Sequence, residues 1–111
     1  MPAIDPVNFH DSVSFVNVEV DDAGISTRTL IKENIPCRLS PLPPAVTTDP
    51  KAPIDKGGFT CHMYYDADVR LGWVADVTFD GITEVTKVRR RGVIRTDTNT
   101  FLELRLEFEA I

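Results

Sequence analysis

Ten residues, Trp73 to Ile82, restrict the fold more than any other part of the chain. Trp73, Ala75, Val77 and Phe79 alternate with Val74, Asp76 and Thr78. That period of two suits a half-buried strand. Asp80-Gly81 follows, a pair that accepts positive φ at a two-residue hairpin turn. Ile82 to Val88 then reads as the return strand. With a hairpin here, most other apolar runs have a sheet to join.

Read in order, the rest agrees. Residues 1–11 carry Pro2 and Pro6 without periodicity and read as an extended arm. Ser12 to Val20 is strand-like, with Val13 and Phe15 on one face and Val16, Val18 and Val20 on the other. The Asp21–Gly24 turn leads to a second strand, Ile25 to Lys32, and Ile35 to Ser40 is a third, short one. Pro36 places that piece at a strand start or an edge. Residues 41–58 contain Pro41, Pro43, Pro44, Pro50 and Pro53 and read as a long irregular loop. Phe59, Cys61, Met63 and Tyr65 share one face of the next strand. In the last strand Leu102, Leu104, Leu106 and Phe108 alternate with Glu103, Arg105, Glu107 and Glu109. No segment holds a helical period over ten residues. The expected fold is all-β: a small antiparallel barrel or sandwich of six to eight strands spanning residues 12–111 as one domain.

Length and composition set the function classes aside in turn. A 111-residue chain with 42% hydrophobic and 26% charged residues is an ordinary single globular domain. Its net charge of −5 is wrong for a general nucleic-acid binder, though a local basic loop can still touch DNA. Cys37 and Cys61, outside any CxxC spacing, read as buried free thiols of a reducing cytoplasm. No apolar run reaches the roughly 20 residues of a membrane span, and the start lacks the basic and apolar regions of a secretion signal.

Few residues offer chemistry. Asp66-Ala67-Asp68 resembles a pair of metal carboxylates, but no further oxygen ligands stand at loop spacing, so both read as turn formers. His62 and Cys61 fall on opposite faces of a strand and cannot act together. With no nucleophile elbow and no phosphate loop, the chain reads as a non-enzyme without metal or cofactor. Arg89, Arg90 and Arg91, with Arg95 nearby, reverse the local charge of an acidic chain. Placed on a loop, they suit phosphates or the carboxylates of a neighbouring subunit. Glu103, Glu107 and Glu109 supply an acidic face, and the two together suit head-to-tail association into a ring.

The order of these pieces resembles a known family. Ile35-Pro36-Cys37-Arg38-Leu39-Ser40-Pro41 precedes the Pro-rich loop; Asp68-Val69-Arg70-Leu71-Gly72-Trp73-Val74 and Asp80-Gly81-Ile82-Thr83-Glu84-Val85 come after it. This is similar to the head-completion (head-closure, head–tail joining or stopper) proteins of tailed bacteriophages, over roughly residues 12–109. Trp73 departs from the aspartate that often follows the glycine there. The resemblance implies a small β-barrel without reaction, metal or cofactor, assembled as a hexameric or dodecameric ring in the virion neck, after synthesis in the bacterial cytoplasm. The portal or adaptor ring would lie above it and the tail terminator or tail tube below. The ring closes the DNA exit after packaging and docks the tail; packaged DNA is touched transiently and no membrane is involved. The arm and the loop, with Pro43, Pro44, Asp49, Lys51 and Lys56 as candidate contacts, would reach the neighbouring rings or the channel. Alternatives are another neck component (a tail terminator or adaptor), a small non-viral ligand-binding barrel, or an enzyme accessory domain.

Overall fold

The computed structural model describes residues 8–42 and 57–108. Its strands are β1 (Asp11–Val20), β2 (Ser26–Leu42), β3 (Gly58–Tyr64), β4 (Val74–Phe79), β5 (Ile82–Arg95) and β6 (Thr100–Phe108). All pair antiparallel in the order β1-β2-β3-β6-β5-β4, and β4 returns to β1, so one sheet closes as an irregular barrel. The all-β expectation is met. The strand count is the lowest foreseen because two expected strands, Ile25–Lys32 and Ile35–Ser40, are one. They join across Asn34, which takes a φ of 52° and donates its backbone N–H to Ser14 Oγ at 3.0 Å. The extra residue is a bulge, so the strand bends without breaking.

Alternation sets what lies inside. Leu102, Leu104 and Leu106 are wholly buried, as are Val13, Phe15, Cys61, Ala75 and Val77. Phe59 packs between Phe79, tilted to it, and Phe108, edge-on to it, with ring centroids 5.5 and 5.7 Å away. One polar residue is fully buried among the described residues: Thr86, whose hydroxyl donates to the Ala75 carbonyl at 2.8 Å. That bond offsets the cost of burying it. Cys37 and Cys61 are buried free thiols, as expected. The Cys37 thiol beside it, together with burial, pushes the Cys61 thiol well above its ordinary range. The turn at Asp80-Gly81 is the expected hairpin, with φ of 52° and 78°.

Several boundaries differ from expectation. Pro41 is not in a loop: it pairs with Phe59. Pro36 lies inside β2, on a stretch whose far edge is open, because β3 pairs with β2 only from Arg38 onward. The end of the N-terminal arm rests on the barrel, where Phe9 packs edge-on to Tyr64 and Phe101 at 5.5 and 6.0 Å. Val16 turns inward with Phe15, since register shifts on both sides of Phe15 break the alternation.

Two features stand out from the barrel. The first is the connection from β3 to β4, strands that are not neighbours. It brings Val69 into the core, 2% exposed. The second is a ribbon. β4 follows β1 only as far as Val16, so Asn17–Leu30 forms a two-stranded hairpin with both outer edges unpaired. Val18, Val20, Ile25 and Leu30 on it are 40 to 65% exposed. The Asp21 carboxylate ties its turn, accepting from the N–H groups of Ala23 and Ile25 at 2.9 Å each. Arg28 holds its base to Asp76 on β4 at 3.1 Å.

Candidate interaction surface

The arginines expected on a loop lie in a strand instead. β5 runs through all of them to Arg95, and the turn to β6 is Thr96–Asn99. A bulge at Arg89 explains how it can. The register steps from Val88↔Leu106 to Arg90↔Arg105, leaving Arg89 unopposed. Without that step Arg90 would inherit the inward phase of Thr86 and Val88; with it, Arg90 points outward. A bulge leaves no mark in the alternation, so polar sequence in such a strand reads as a connection.

The outer face around Arg90 is built from three strands. Arg90 sits directly opposite Arg105, and Arg105 opposite Thr60. One step along, Gly92 opposes Glu103, and Glu103 opposes His62. Glycine leaves a gap in this row, and the result is a surface groove of about 360 Å³ lined by Thr60, Arg90, Arg91, Gly92, Glu103, Leu104 and Arg105. The acidic face therefore shares a surface with the basic one. Glu107 takes Arg105 at 3.0 Å and Arg89 at 3.5 Å, and Glu103 takes His62 at 2.8 Å. These carboxylates are engaged within the chain. Arg90 and Arg95 have no acidic partner among the described residues.

Arg91 turns the other way, level with Leu104. Its guanidinium lies 5.7 Å from the centre of the Tyr65 ring and donates to the Asp66 carbonyl at 3.4 Å. Its buried Nε has no partner among the described residues. Asp66 meets Lys32 at 2.7 Å and Asp68 meets it at 3.7 Å. The β3–β4 connection is thus held from β2 and β5 at once. Sequence reasoning took both aspartates as turn formers, and Asp66 does accept the Asp68 N–H at 2.9 Å. It missed Lys32 because nothing local links residues so far apart.

This cluster titrates. Partial burial pushes the Asp66 carboxyl up, but hydrogen bonds from Lys32 and the Asp68 N–H, with the charges of Lys32 and Arg91, hold it below the ordinary 3.8. The hydrogen bond to Asp66 outweighs desolvation and raises Lys32 above 10.5. A depressed carboxyl adds stability above its unfolded value and loses it as pH falls through the folded value. Asp66→Asn will therefore melt below wild type at pH 7, and the gap will close below about pH 3.8. Melting curves between pH 2 and 7, as a rough range, check this; a gap that persists in acid would contradict it.

Pro43, Pro44, Asp49, Lys51, Lys56 and Glu109 lie outside the described residues. No group of three or more His, Cys, Asp or Glu placed to hold a metal occurs among the described residues. Fold and surface together define a closed β-barrel with a basic outer groove and a projecting ribbon. No known protein family, curated protein or solved structure matches this chain.

Proposed function

We infer that this chain is a head-completion protein of a tailed-phage neck, a ring-forming subunit that closes the portal channel and receives the tail. The observation that carries this reading is the division of the molecule into a packed barrel and parts suited only to contact: the ribbon and the arginine row. The segments that resemble the family fall on the barrel frame, in β2, in the β3–β4 connection and at the β4–β5 turn. The interior supports the reading over a ligand-binding barrel, because Phe15, Met63, Leu102, Leu104 and Leu106 fill it. It also speaks against an adaptor, which needs helices: beyond a short 3₁₀ turn at Asn8, none occurs among the described residues.

In this role the barrel gives each subunit a rigid seat, and residues 43–56 contact the adaptor, the tail or the channel. Prolines there lessen the entropy lost on docking. Removing residues 44–56 will leave the barrel folded, while heads carrying the variant lose DNA and fail to join tails. Counting DNA-filled heads and tailed particles tests it. Variant heads that keep their DNA and take tails would remove this segment from the mechanism.

A further inference from the structure

We propose that the acidic tip of the β1–β2 ribbon docks in the arginine groove of a second copy, a contact that rests on the ring reading above. Three observations lead there. An isolated two-stranded ribbon is marginally stable in water, yet this one presents Val20 at 65% and Ile25 at 61% exposure, with open edges on both sides. Such edges invite a partner. Its tip is acidic: from Asn17 to Thr27 it carries Glu19, Asp21 and Asp22 and no cation. Asp22 has no partner among the described residues.

The groove needs what the tip offers. Arg90 and Arg105 stand directly opposite each other across β5 and β6. Like charges in that position repel, and Glu107 engages only Arg105 of the two. A carboxylate entering beside Gly92 takes the Arg90 fork and relieves the repulsion.

Topology decides between copies. In the order β1-β2-β3-β6-β5-β4, the β1–β2 pair and the β6–β5 pair lie on opposite sides of the closed barrel. A subunit cannot dock its own tip in its own groove. Tip to groove is therefore a heterologous contact that repeats, and it closes as a ring if the rotation allows.

Charge reversal tests the contact in the full-length protein, by sedimentation and light scattering at low and high salt. Asp22→Arg alone and Arg90→Asp alone are each expected to weaken self-association about tenfold, and the double variant to recover to within about threefold of wild type. Both residues are exposed, so circular dichroism will match wild type. If wild type associates and neither single variant weakens it, this contact is wrong and the ring reading stands. A wild type that stays monomeric at roughly millimolar concentration overturns both. If Arg90→Asp lowers affinity for a random DNA duplex and leaves self-association unchanged, the groove is a phosphate site and the proposal falls.

Discussion

Gly58→Ala will destabilise the protein by about 3 kcal/mol. Gly58 opens β3, opposite Glu107 of β6. A Cβ there would fall inside the shell of the Leu106 carbonyl oxygen and 2.9 Å from the Glu107 Cα. Both obstacles are backbone, so no rotamer change relieves them. β3 and β6 must separate at the very place where the barrel closes around Leu106. In a domain of this size the loss lowers the melting temperature by about 12 °C or more. Gly81→Ala is the control. Gly81 takes a φ of 78° with nothing within 4 Å of the added carbon, so only the left-handed backbone is penalised, by about 1 kcal/mol. Equal effects at the two glycines would show that the close approach at Gly58 does not exist.

Phe15→Ala comes next, with an expected loss of about 3 to 5 kcal/mol. Phe15 is wholly buried and its ring lies 5.9 Å from that of Trp73. It also stands between two register shifts, where β1 passes from barrel to ribbon. Truncation leaves a cavity whose lining cannot collapse, because Val13 and Val16 are fixed by pairing to β2 and β4, and Ala75 by pairing to β1 and β5. Urea unfolding followed by tryptophan fluorescence reads the effect directly, since Trp73 is the single tryptophan of the chain. A shift in midpoint below about 1 kcal/mol at unchanged slope would place Phe15 outside the core.

Much of this core is legible residue by residue in the sequence. Leu102, Leu104 and Leu106 on β6, and Ala75 and Val77 on β4, recur at every second position, and all five are buried. The turn at Asp80-Gly81 is equally local, because positive φ is a property of those two residues. His62 and Cys61 do take opposite faces, one at the surface with Glu103 and one in the core.

The arginines show where such reading stops. Arg89-Arg90-Arg91 has the composition of a loop, and only the bulge opposite Leu106 and Arg105 makes it a strand. The same holds for Glu33-Asn34, where a bulge turns two expected strands into one. In each case the deciding energy is a pairing with residues far along the chain, which the local pattern does not contain. The groove around Arg90 follows from that misjudged strand, so its row of facing charges was invisible in advance.

Period-two alternation thus determined what β4 and most of β6 bury, since side-chain direction in an unbulged strand follows from its own backbone. Only the tertiary structure decided which strands meet. It closed β4 on β1 and set β3 beside β6, because closure depends on register summed around the whole sheet. It also left Asn17–Leu30, most of the expected first hairpin, projecting beyond the closed part of the sheet with Val18, Val20, Ile25 and Leu30 exposed.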